Sequence, residues 1–136
     1  MRQPLHPALV HFPIACWTIA VIVDFVSPHF GAPAWQLAAL MLAIGCGMAL
    51  LAMCAGLLEL TRVPDGAPLR DLLWHMSIMS LALVLFLFSL GMRLVGLQPQ
   101  APGLLEFILD GCGFLALIVG GWLGGRLVYR HGVGRR

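Results

Sequence analysis

Lysine is absent from the 136 residues, and Asp and Glu together number six against eight arginines. Charged side chains make up 10% of the chain, well below the roughly 25% typical of soluble domains. The net charge of +2 is too small and too dispersed to form a basic stripe for nucleic acid. The four cysteines, Cys16, Cys46, Cys54 and Cys112, include no C-x-x-C pair. That excludes zinc-ribbon, thioredoxin-like and covalent c-type haem arrangements; each thiol lies in an apolar run, where it packs as a small hydrophobe. Ser-His-Asp sets, phosphate loops and paired-carboxylate sites are missing too, so a stand-alone hydrolase or transferase is not expected; a redox subunit is the one enzymatic role left open.

Apolar sequence fills most of the remainder, 60% of the chain. It divides into four segments, at about 7–26, 35–60, 69–95 and 103–129, each long enough to cross hydrocarbon as a helix. The first faintly resembles a signal peptide, but Pro13 interrupts it and it lacks a small-residue cleavage site, so a retained span is expected. The connections are short and rich in Pro and Gly, which stop one helix and start the next. Short loops force antiparallel neighbours. The expected architecture is an all-α integral membrane bundle of four helices, up-down-up-down, forming one domain over 1–136. Arg2, Arg62, Arg70, Arg126, Arg130, Arg135 and Arg136 belong to the two termini and the middle loop. The positive-inside rule then places both termini in the cytoplasm, N-in/C-in, in a bacterial inner membrane. Ala52-x-x-x-Gly56, Ala39-x-x-x-Ala43-x-x-x-Gly47 and the paired glycines 120–121 and 124–125 are small-residue stripes. Such stripes let helices approach closely in lipid or form homo-oligomers, and they also leave room for a flat cofactor.

Four of the five histidines, His6, His11, His75 and His131, fall at one end of this bundle. Pro7 suits a first helical position and Pro13 should loosen the turns around His11, freeing the carbonyl of Leu9 as an acceptor for a ring nitrogen. His11 shares a stripe with Ala15, Thr18 and Ile22. His75 shares one with Ile78, Met79, Ala82, Phe86, Ser89 and Arg93, a stripe that should face inward because Arg93 is costly in lipid. Spans one and three are diagonal, so His11 and His75 are expected to face each other, with His6, His131 and Tyr129 in an outer layer. Opposed imidazoles suit a b-type haem, with Arg62, Arg126 and Arg130 available to propionates. The alternatives are a zinc or copper site drawing on His6, His131 and Glu59, or a structural subunit without cofactor whose imidazoles sense pH. At the other end stand Asp24, Arg93, Glu106 and Asp110, for which an ion pair between Arg93 and one carboxylate is the simplest expectation. His29 is assigned no role.

The stretches His6-Pro7-Ala8-Leu9-Val10-His11-Phe12-Pro13-Ile14 and Gly124-Gly125-Arg126-Leu127-Val128-Tyr129-Arg130-His131-Gly132-Val133-Gly134 resemble the signature of a bacterial family of predicted membrane proteins, domain of unknown function 2231. Gly56-Leu57-Leu58-Glu59 and His75 fit the same pattern, so the resemblance spans nearly the whole chain. It implies four spans. Related domains occur joined to Rieske iron–sulfur domains, which implies membrane electron transfer with quinone and a redox protein as partners, and favours haem over zinc. Two departures touch the surroundings of the histidines. Span two ends in Glu59-Leu60 where an aspartate-containing ending is expected, and Met76-Ser77-Ile78 follows His75 where an Asn is common.

Overall fold

A computed structural model describes residues 5–60 and 68–132. Helices α1 (Leu5–Leu9) and α2 (His11–Phe30) make the first span, α3 (Ala32–Leu60) the second, α4 (Leu69–Met92) the third and α5 (Leu104–Tyr129) the fourth. Between α4 and α5 lies a small hairpin of β1 (Leu94–Val95) and β2 (Gln98–Pro99). All four spans are long and apolar enough to cross a membrane. The helices form a ring in which α2 packs on α3 and α4 on α5, with α3–α4 and α2–α5 closing it, so α2 and α4 stand diagonally. This is the four-helix bundle expected from the sequence.

Its solvent logic is inverted, as suits lipid. Leu, Ile and Phe crowd the outside, including Phe12, Ile22, Leu51, Phe88, Leu115 and Ile118, while the interior is rich in Ala and Gly around a few large side chains; of the cysteines only Cys46 is buried. Small interior residues let the helix backbones approach where lipid supplies no hydrophobic drive between helices.

Three boundaries differ from the sequence expectation. The segment 27–33 is not a loop: α2 continues through Pro28 to Phe30 and only Gly31 separates it from α3. Gly31 makes that reversal at φ +71°, in the left-handed region that glycine enters without penalty. Span three stops at Met92 rather than Val95, because Arg93 leaves the helix and Gly96-Leu97 turn the chain into the hairpin, both at positive φ. The first span is broken at Val10. Pro13 has no N–H to offer the carbonyl of Leu9, so the ladder cannot run through. On both sides of the break the span packs against α3.

The two hairpins, α1–α2–α3 and α4–α5, repeat one another. His6, Trp17 and Asp24 lie 69 positions before His75, Phe86 and Arg93, respectively. Gly45, Ala52 and Gly56 lie 68 positions before Gly113, Gly120 and Gly124. The equivalent side chains meet across the bundle centre. His6 and His75 have ring centres 6.5 Å apart, Trp17 stacks on Phe86 at 4.7 Å, and Arg93 binds Asp24 at 2.6 Å. The bundle therefore has a pseudo-two-fold axis along its length, the arrangement of parallel repeats about a membrane normal.

Candidate functional site: a pair of imidazoles on the pseudo-two-fold axis

His6 reaches the bundle interior from α1, which packs against α3. Its backbone N–H donates to Glu59 Oε1 at 3.1 Å, which pins the start of the chain to the end of α3. Its ring lies over Gly56, where a Cβ would stand 3.0 Å from Nδ1. Nδ1 itself is 2.7 Å from the carbonyl oxygen of Ala52. A carbonyl only accepts, so Nδ1 must carry the proton and donate it.

His75 repeats this arrangement from α4. Its ring lies over Gly124, with a Cβ there 3.0 Å from Cε1, and its Nδ1 is 2.8 Å from the carbonyl oxygen of Gly120. In both halves a small-x-x-x-Gly step on the second helix seats an imidazole from the first. The glycine makes room for the ring, and the carbonyl four residues earlier accepts its hydrogen bond. In the neutral form each imidazole is thereby fixed as the Nδ1–H tautomer, with its Nε2 lone pair available. The rings stand 6.5 Å apart at an interplanar angle of 86°.

The remaining expected site residues are distributed as follows. His11 does not face His75. It is exposed on the outer side, its Nδ1 3.4 Å from the carbonyl oxygen of Ala8 rather than near Leu9. Its stripe follows it outward, since Ala15 and Ile22 are exposed and the buried face of α2 is instead Pro13, Trp17, Ala20, Val21, Asp24 and Ser27. On a continuous helix His6 falls within about 20° of Trp17 and His11 about 120° away, the register that His75 and Phe86 keep on the unbroken α4, so His6 is the inward imidazole of the first span. The stripe of His75 does point inward, with Ala82, Phe86, Ser89 and Arg93 all buried. His131 sits at the same end with its Nε2 3.2 Å from Asp71 Oδ2. Arg126 donates to the same oxygen at 2.8 Å and lies 5.0 Å over the Trp122 ring. Glu59 is bound to the backbone of His6 and does not converge with His131 on a metal position. Tyr129 and Arg130 are exposed at the end of α5; Arg62 lies outside the described residues.

Asp71, absent from the sequence reading, anchors this outer layer. Trp17, which the sequence analysis does not single out, stacks on Phe86 of the inward stripe. Each lies 11 positions after its histidine, about 16 Å along a helix. Both signals lay in the 69-residue spacing of His6/His75 and Trp17/Phe86, which becomes visible only when the two hairpins are aligned.

The fold and site thus define a multi-pass membrane protein built from two like hairpins, with an imidazole pair on the axis between them. The chain belongs to the family described as predicted membrane protein (DUF2231), whose model matches residues 2–136. No curated protein and no solved structure matches the chain.

Proposed function

We propose that this protein is a membrane electron-transfer module of the cytochrome b type, in which His6 and His75 would hold one haem b. The observation that carries the reading is the pair of Nδ1 contacts to backbone carbonyls, which in the neutral rings leaves two unprotonated Nε2 atoms from opposite halves of the bundle. The ring centres lie 6.5 Å apart, close enough for both to serve one metal centre. The donor set also matches haem better than zinc. Among the described residues no three His, Cys, Asp or Glu side chains converge, and haem iron needs only two ligands from the protein because its ring supplies four.

When bound, haem b supplies a one-electron ferric/ferrous couple. The residues of this chain hold and orient it. The Ala52 and Gly120 carbonyls fix ring tautomer and raise the basicity of Nε2. Trp17 and Phe86 close the apolar floor. Arg126, whose buried Nε has no partner, and Arg130 would pair with propionates at the open end, beside His131 and Tyr129. Electrons would pass between a lipid-phase carrier such as quinone and a redox protein at the cytoplasmic face.

The test is an absorption spectrum of the detergent-purified protein, produced with haem supply ensured, oxidised and then dithionite-reduced, with elemental analysis. A sharp reduced α-band with stoichiometric iron is expected. His6→Ala and His75→Ala each lose it, while His11→Ala and His29→Ala keep it. A colourless protein carrying zinc or copper would move the site to metal handling. A colourless, metal-free protein would leave a structural or pH-sensing subunit.

A further inference from the structure

At the end of the bundle away from the histidines, Asp24 of α2, Arg93 at the end of α4 and Asp110 of α5 form a triad with no exposed side-chain surface. Arg93 Nη1 donates to Asp24 Oδ2 at 2.6 Å and Nη2 to Asp110 Oδ2 at 2.8 Å. The guanidinium also donates from Nη2 to Ser89 Oγ at 2.8 Å and from Nε to the Ser89 carbonyl at 3.3 Å. All of its capacity toward the carboxyls goes to the two Oδ2 atoms. The other oxygens, Asp24 Oδ1 and Asp110 Oδ1, are buried and have no hydrogen-bond partner.

Two ionised carboxylates and one guanidinium would sum to a net negative charge. Among the described residues the one other basic side chain at this end is His29, exposed in the last turn of α2. The other described arginines, Arg70, Arg126 and Arg130, lie at the opposite end of the bundle. Glu106, one turn before Asp110, is engaged with the Gly103 N–H at 3.0 Å. Ser27 on α2 is buried at this level, and α3 contributes Leu42 at the position equivalent to Asp110, with Cys46 one turn further on. An uncompensated buried charge with two bare acceptor oxygens is the most costly state such a cluster can adopt. Both carboxyls hang through Oδ2 on the two terminal nitrogens of one guanidinium, which leaves both bare Oδ1 atoms in one cluster; a single proton shared there would remove both faults.

We propose that Asp24 and Asp110 form a proton-binding site that holds one proton at neutral pH, carried on one carboxyl and donated to the other. The triad is then neutral, one guanidinium against one carboxylate, and both carboxyls stay on Arg93 through Oδ2. This site is independent of the histidine pair, from which the Trp17–Phe86 stack separates it. Either proposal can fail without the other.

Infrared spectroscopy of the full chain in lipid nanodiscs at neutral pH, with 13C-carboxyl aspartate, reads the proton directly. The expected spectrum contains the C=O stretch of one protonated aspartate, shifted by the label. The band disappears in Asp24→Asn and in Asp110→Asn and persists in Asp71→Asn. Each single Asn variant keeps a melting temperature near that of the wild type, because an amide donates as the protonated carboxyl does and leaves the triad neutral. Absence of a label-shifted protonated band in the wild type would overturn the proposal, whether or not the variants fold. A band surviving in both single variants would overturn it as well.

Discussion

A single missing Cβ decides where each imidazole sits. At Gly56 and Gly124 the histidine ring occupies the space a side chain would take, 3.0 Å from the Cβ position in both cases. That distance is tighter than ordinary van der Waals contact, so a methyl group forces the ring to give way by a few tenths of an ångström and a larger group displaces it. Gly124→Val should push His75 off the Gly120 carbonyl and abolish or strongly shift the reduced absorption band, with helical content unchanged by circular dichroism. Gly47→Ala, where a Cβ meets nothing within 4 Å, should alter neither. Normal spectra from both variants would mean that the imidazole seat does not govern the cofactor. At the other end of the bundle the critical residue is Arg93, which alone holds two buried carboxyls. Arg93→Leu should lower stability by about 3–5 kcal/mol, the usual consequence of removing one member of a buried ion pair, measurable by unfolding in mixed detergent.

Between residue and bundle, the shared register of the first and third spans is the feature that assembles the site. His6, Trp17 and Asp24 repeat the spacing of His75, Phe86 and Arg93, which keeps one helical face on the axis. Pro13 lies in the first turn of α2, where a proline is tolerated. Pro13→Ala restores a donor for the Leu9 carbonyl and leaves that register unchanged. It should therefore raise thermal stability or leave it unchanged and keep haem occupancy. A variant that loses the haem would show that the break at Val10 holds His6 in place. The same element explains what the sequence could and could not tell. Four spans and their antiparallel order were legible from apolar length and Pro/Gly-rich connections, and the inward face of α4 from the cost of Arg93 in lipid. In the first span the apolar residues run all round the helix, so the phase of the inward face does not follow from periodicity. The sequence expectation sets it on His11, Ala15 and Ile22, which face out. The buried face is that of Pro13, Trp17, Ala20 and Asp24, and the same helical wheel extends it to His6. The Ala52/Gly56 and Gly120/Gly124 steps were visible as small-residue stripes. Their use as imidazole seats depends on the histidine each meets on another helix, which periodicity within one helix does not reveal.

Over the whole molecule, the pseudo-two-fold axis stacks three layers of equivalent residues with different chemistry: imidazole on imidazole, indole on phenyl, carboxylate on guanidinium. The first and second layers keep like with like. The third departs from it, since Asp24 and Arg93 are opposites, and Asp110 stands where the first hairpin has Leu42. The molecule is therefore symmetric near the imidazoles and asymmetric near the carboxyls. The arginines are asymmetric too: among the described residues Arg70, Arg126 and Arg130 lie at the histidine end and only Arg93, buried in its triad, lies at the other. From this the positive-inside rule predicts a cytoplasmic histidine end and a β1–β2 hairpin on the far side. A fluorescent protein fused after Arg136 should then fluoresce in an expressing bacterium, and alkaline phosphatase inserted at Gly96–Leu97 should be active. The reverse result, an active phosphatase at the C-terminus and a silent one in the hairpin, would turn the molecule over. The imidazole pair would then open toward the outer face, and its redox partner would have to be sought there.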